Sequence, residues 1–295
     1  MIRAARHSML SLRLFCLLAL TAAAIPAQAA AGATVQLNFS GVILDQGSNP
    51  LLEQFTRWLA IHADYPLQTA YTENYQAITD HLRQHPTALA WTCGAPFAED
   101  HPRDGQILLA VPLFHGQPTY HSITITRAGR SEQSLFDFKG QVLAYSDPRS
   151  NSGFVVPSFV LHQQGQDIHK FFRLLLNTGL HEASIEAVIN GLADVANVDE
   201  YILQQYMKTH PQSRSRIQQL KSYGPYPFTP LVAGRNTPPA AVKRLQQALV
   251  DMAQDREGKQ ILDQLGLDGF VIKPATFYQP IAAMLSALQQ PPTAP

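Results

Sequence analysis

Residues 146–157 read SDPRSNSGFVVP, and within them Ser150, Asn151 and Ser152 set two hydroxyls and an amide side by side just before Gly153. Where a helix begins, its first backbone N–H groups have no intrahelical partner, and with the positive end of the helix dipole they favour a bound oxyanion. The side chains add donors, and a glycine lets the backbone come close to a ligand. The same residue types are also the preferred helix N-caps. Read locally, the loop is either an anion cradle or an ordinary cap. His181 stands just before a second helical stretch and either donates to a negative charge or caps and packs. Asp199 and Glu200 close a strand, where open α/β sheets put ligand groups, although carboxylates there are commonly solvated. Tyr75 and Tyr120 either aim a phenol at a ligand or fill space.

Cys93, in AWTCGAPF, ends a strand beside a glycine. A buried structural thiol is the common case; a reactive one needs exposure and a lowered pKa. A hydrolase built on Cys93 and His181 would be a protein of another class, but no motif supports that dyad. GxSxG, HExxH, P-loop and CxxC patterns are absent, and the eleven histidines show no metal-ligand spacing. These residues call for no cofactor or metal, and none is expected; an exported hydrolase using Cys93 as its nucleophile is the reading from the enzyme class.

At the start of the chain, Arg3, Arg6 and Arg13 precede the apolar residues 14–20, and the small-residue site Ala27-Gln28-Ala29 follows. This is the pattern of a secretory signal peptide over residues 1–29, cleaved near Ala29. Cys16 follows Phe15, where lipidation needs a small residue, so a soluble exported form is expected. Losing three arginines moves the formal charge from 0 to −3, a balance that does not suit nucleic acid. Only Cys93 survives processing, so no internal disulfide can form.

The elements that must hold these residues follow from periodicity. TVQLNFSGV reads as a strand, NPLLEQFTRWLAIHA and ENYQAITDHLRQH as helices and TALAW as a strand, in the β-α-β-α-β order of an α/β layer fold. QILLAVPLF, TYHSITITR and QVLAYSD are strand-like, a helix starts near Gly153, and HEASIEAVING is a helix ending at Gly191 before the strand ADVANV. SYGPYPFTPLV, with its prolines and glycines, reads as a connector rather than one regular element, and PPAAVKRLQQALVDMAQD opens a helical tail.

Taken in order, NYQAITDHL, ALAW, TYHSITITR, SDPRSNSGFVVP, HEASIEAVINGLADVA, YPFTPLVAGRNTPPAAVKRLQQAL and LGLDGF resemble the periplasmic phosphate-, phosphite- and phosphonate-binding proteins that serve ABC transporters. The Asp-Pro-x-Ser-x-Ser-Gly loop is the most specific of these segments. The resemblance implies a type II periplasmic-binding fold, two α/β lobes joined by two hinge strands with the ligand cleft between them. On that pattern residues 30–119 and 227–295 form one lobe and residues 120–226 the other. It further implies that Tyr75 and Tyr120 line the cleft, that Ser150, Asn151 and Ser152 hold the oxyanion, and that His181 hydrogen-bonds it. Asp199 and Cys93 join them as candidate ligand residues.

Three departures from the family pattern bear on the ligand. Asn151 stands where threonine is usual. Tyr201 and Thr229 stand where members that bind aminoalkylphosphonates carry carboxylates, which disfavours an amine tail unless Asp199 or Glu200 takes over. Cys93 lies near a position that is commonly glycine, and a soft thiolate there would suit arsenite. The expected function is thus delivery of a small oxyanion to a transporter permease in the periplasm. The alternative is an arsenite sensor using Cys93 and signalling to a histidine kinase.

Overall fold

The computed structural model describes residues 34–40 and 49–292; the export segment expected at residues 1–29 lies outside them. The chain opens with β1 (Val35–Ser40), α1 (Asn49–His62), β2 (Leu67–Thr72), α2 (Tyr75–Gln84), β3 (Leu89–Trp91), α3 (Gly94–Asp104) and β4 (Ile107–Leu113). In α1 the apolar residues Leu52, Phe55, Trp58 and Leu59 recur at helical spacing and all are buried. α2 begins where the Asn74 side chain accepts the Ala77 N–H at 2.9 Å.

A second run follows: β5 (Thr119–Arg127), β6 (Val142–Tyr145), one turn of π-helix at Asn151–Val155, α4 (Val156–His162), α5 (Ile168–Phe171) and β7 (Leu174–Asn177). It continues with α6 (His181–Ile189), β8 (Val195–Asp199), α7 (Glu200–Thr209) and β9 (Ile217–Pro227). The chain then closes with β10 (Leu231–Ala233), α8 (Pro239–Asp251), α9 (Arg256–Leu265), β11 (Gly269–Val271) and α10 (Gln279–Leu288).

These strands make two sheets, ordered β11-β4-β10-β3-β1-β2 and β7-β6-β8-β5-β9. β1 is parallel to β2 and β3, and β6 is parallel to β7 and β8; helices supply the long crossovers that parallel pairing needs. β10 and β11 return antiparallel in the first sheet, and β5 runs antiparallel to β8 and β9 in the second. Side chains in the second sheet alternate between two apolar layers. Leu143 and Val195 pack with Phe138, Leu161 and Phe171 on one face, and Ala144 and Ala196 pack with Ile185 and Val188 on the other.

The connector expected over SYGPYPFTPLV is in part a strand. β9 continues through Tyr223, Gly224, Pro225 and Tyr226 to Pro227, with its pairing slipping so that Ser122 faces Tyr223 and Tyr120 faces Tyr226. β9 lies at the edge of its sheet, where a proline without an N–H breaks no ladder on the open side. The chain therefore crosses between the sheets at residues 114–118 and 228–230, and the two crossings lie side by side, with the Phe228 N–H donating to the Pro118 carbonyl at 2.9 Å.

Close backbone approach fixes one glycine in the first sheet. A Cβ on Gly234 would lie 2.4 Å from the Pro86 carbonyl oxygen. Gly234→Ala should lower stability by about 1–3 kcal/mol through overpacking, read as a reduced urea midpoint. An unchanged midpoint would mean that the Pro86 backbone yields.

Candidate functional site

β6 delivers the chain into residues 146–152, and the capping reading of this loop holds. The Ser150 hydroxyl accepts the Gly153 N–H at 3.1 Å, and its carbonyl accepts the N–H groups of Phe154 and Val155. Gly153 is required here, since a Cβ would stand 2.8 Å from the Ser146 hydroxyl. The first N–H of the turn, on Asn151, reaches across to Cys93 Sγ at 3.4 Å, and Asn151 Nδ2 donates to the Tyr120 hydroxyl at 3.0 Å. The Ser122 hydroxyl donates to the Ser152 carbonyl at 2.8 Å.

What the cap leaves over is the informative part. Five buried side-chain polar atoms among the described residues have no well-formed hydrogen bond, and three of them, Asn151 Oδ1, Ser152 Oγ and Thr92 Oγ1, lie on the loop and just past β3, with the Ser152 hydroxyl near the Tyr120 phenol. An orphan of this kind costs about 1–3 kcal/mol, so three on these two facing segments call for a polar guest. The Asn151 amide can also turn over. Tyr120 then donates to Oδ1, and the amide N–H groups face the other way.

His181, the first residue of α6, is buried and oriented by its neighbours. The Asp199 N–H donates to Nδ1 at 3.4 Å, so the ring proton resides on Nε2, which lies 3.3 Å from both the Ser146 and Ser150 hydroxyls. Burial lowers its pKa to about 3. The ring is therefore a neutral donor at any physiological pH.

Asp199 ends β8 and caps α7, accepting the Tyr201 N–H at 2.8 Å. Burial raises its pKa to about 7, against the pull of the Tyr201 and Ile202 N–H groups. Burial also drives the phenols of Tyr75 and Tyr120 well up, with the Cys93 thiol as the next cause at each and Asp199 contributing to both. These groups thus share one enclosed space. Cys93 is buried, and desolvation pushes its thiol up to about 11, outweighing the N–H groups of Asn151 and Ala95 that face the sulfur. No lysine or arginine is among the buried residues described.

The eight residues singled out from the sequence, Tyr75, Cys93, Tyr120, Ser150, Asn151, Ser152, His181 and Asp199, are all buried and come together where the two sheets face each other. Sequence reasoning missed Thr92, Ser122 and Ser146. Ser146 is inside the motif loop and Thr92 follows a strand end, a position where α/β sheets place ligand groups. Nothing local singles out Ser122.

The hydrolase alternative finds no geometry. His181 offers no free base, since Nδ1 accepts the Asp199 N–H and Nε2 carries the ring proton, and burial pushes the Cys93 thiol up to about 11. The described residues include no group of three or more His, Cys, Asp or Glu fit for a metal, and no helix long and apolar enough to cross a membrane.

Two α/β lobes, crossed twice by the chain and enclosing a polar site between them, are the architecture of the type II periplasmic binding proteins. The family described as "ABC transporter, phosphonate, periplasmic substrate-binding protein" matches residues 37–275, and the chain belongs to it. It is 24% identical over 238 residues to the phosphonates-binding periplasmic protein of Escherichia coli K12, covering 78% of this chain and 70% of that one. A binding-protein component of an ABC phosphonate transporter from Pseudomonas aeruginosa has a similar structure, with TM-score 0.78, 22% identity and 87% of each chain covered. PhnD1 of Prochlorococcus marinus in complex with methylphosphonate is comparable, with TM-score 0.78, 18% identity, and 87% of this chain and 98% of that one covered.

The two perturbed groups act on stability with opposite sign. Between pH 3.8 and about 7 native Asp199 keeps a proton that the unfolded chain has released, so stability falls as pH rises. Between 6.5 and about 3 the unfolded chain takes up a proton that native His181 refuses, so stability falls as pH drops. Asp199→Asn keeps a good N-cap and removes only the first effect. Its stability relative to wild type should therefore improve by a few kcal/mol from pH 4 to pH 7, measured by urea unfolding. A pH-independent difference would count against the buried protonated state.

Proposed function

We propose that this protein captures a small phosphonate- or phosphate-like oxyanion between its lobes in the periplasm and presents it to the permease of an ABC transporter. The reading takes residues 30–119 and 227–295 as one lobe and residues 120–226 as the other. The observation that carries it is the group of neutral donors, His181 Nε2 with the Ser150 and Tyr120 hydroxyls, beside the buried atoms of Thr92, Asn151 and Ser152 that lack a well-formed hydrogen bond. Such a set meets an oxyanion by aimed dipoles and helix starts rather than by a buried cation. Closure follows to the extent that the ligand prefers the closed arrangement.

The surroundings support a ligand without an amine tail. The Tyr201 hydroxyl donates to the Leu265 carbonyl at 2.7 Å, and Thr229 accepts the Trp91 indole N–H at 3.1 Å. Glu200 pairs with His121 at 2.8 Å, and Asp199 is occupied by the start of α7. Asp147, the buried carboxylate of the loop, accepts the Arg149 and Tyr75 N–H groups, so a buried ammonium would find each nearby carboxylate already engaged. Methylphosphonate, the ligand of the Prochlorococcus relative, is of the suitable class. Arsenite sensing finds no support: Cys93 is the one free cysteine of the described residues, burial keeps its thiol protonated, and the named relatives are phosphonate-binding components.

Calorimetry with methylphosphonate, phosphite, phosphate, sulfate and 2-aminoethylphosphonate tests this. Wild type should bind at least one amine-free phosphorus oxyanion in preference to the amine. The double variant Ser150→Ala, Ser152→Ala should lose roughly a hundredfold or more, as two hydrogen bonds to a charge predict. Unchanged affinity sinks the loop assignment, and tighter binding of the amine sinks the exclusion of a cationic tail.

A further inference from the structure

Arg149 sits inside the loop, between Asp147 and Ser150, yet its side chain turns away from the site. Its Nη1 donates to Thr79 Oγ1 at 2.6 Å and Gln76 Oε1 at 3.4 Å, and its Nη2 to Asp100 Oδ1 and Glu99 Oε2, each at 2.8 Å. All four acceptors stand on α2 and α3, which pack on the first sheet, whereas Arg149 belongs to the second. Asp147 adds a backbone tie beside it. Its carboxylate accepts the Arg149 N–H at 2.6 Å and, from the other lobe, the Tyr75 N–H at 3.3 Å.

The burial of this cluster is asymmetric. Asp100 is 1% exposed and also accepts the Thr79 hydroxyl at 2.5 Å and the Arg103 guanidinium, both from its own lobe. When the lobes part, Asp100 keeps those partners while Arg149 returns to water, so separation strands no buried charge. The guanidinium bonds to α2 and α3 exist only with the lobes together. They are partly buried and hence weakly screened.

We infer that Arg149 is a positioning residue, a latch whose bonds to Asp100, Glu99 and Thr79 hold the lobes together and slow ligand release without selecting among ligands. The inference rests on the proposed cleft as the ligand site. Because the latch touches no ligand group, it multiplies every ligand's affinity by the same factor, the gain in closed population. A residue that contacted the ligand would instead alter the ratios between ligands.

The test compares wild type with Arg149→Gln, Arg149→Lys and Glu99→Gln. Stopped-flow release of methylphosphonate, calorimetric affinity for methylphosphonate and phosphite, and small-angle scattering without ligand are the readouts. Arg149→Gln should release methylphosphonate about tenfold faster and weaken both ligands by that same factor, equivalent to about 1.4 kcal/mol. Arg149→Lys should recover part of the loss, Glu99→Gln should show a smaller one, and ligand-free Arg149→Gln should scatter with a larger radius of gyration than wild type. Wild-type release and radius in Arg149→Gln overturn the latch, and unequal losses for the two ligands overturn it in favour of direct contact. If wild type binds no anion in the panel, the proposed function fails. Scattering then decides the latch alone, with equal radii rejecting it and an enlarged variant supporting it.

Discussion

The two sheets are joined covalently only at residues 114–118 and 228–230, and those crossings lie against each other, so everything else that the lobes share is non-covalent. The two sides nonetheless share one buried apolar cluster, in which Val155, Val156, Tyr201 and Ile202 pack with the core of the first sheet. The apolar part of this contact includes Tyr120, Phe228, Phe114 and Tyr201, which stack edge to face near the crossings, and also Val155 and Val156 around the start of α4. Its polar part lies on residues 146–152 and at the starts of α2, α3 and α6.

Within that interface, charge is used sparingly. The donors around the loop are neutral, His181 is kept neutral by burial, and the cation within the loop, Arg149, is spent on carboxylates of α3. A site of this kind relies on geometry: the His181 tautomer is set by the Asp199 N–H, and the loop's shape by the Ser150 cap. Capping does not compete with the proposed binding of an anion by SDPRSNSG. The cap rigidifies the turn, and the rigid turn leaves the Asn151 and Ser152 side chains facing the interface.

Much of this was legible in the sequence because it is local. The Ser-Asn-Ser-Gly run announces a helix start, and the apolar periodicity of α1 and the helix stop at Gly191 follow from spacing alone. Motif order then implied the fold. What stayed hidden is what depends on distant partners or on exceptions to local rules. α3 carries Pro96 and Pro102, which obscure its helical pattern, and β9 carries Gly224 and Pro225, which read as a break until its edge position is known. The roles of Ser122, paired across the sheet with Asp199, and of Arg149, bound to α2 and α3, cannot be read from neighbours in the chain.

The edge position of β9 has a further consequence. An open strand edge is a template on which another chain can add itself by backbone pairing. β9 runs along such an edge from Ile217 to Pro227, with Gln219, Lys221, Ser222, Gly224 and Pro225 exposed and Pro227 buried. Pro225 and Pro227 lack the N–H that a newcomer would need, the pairing slip bends the strand, and Lys221 sets a charge along it. The residues that make this segment hard to recognise as a strand are thus also ones that work against pairing with a second strand.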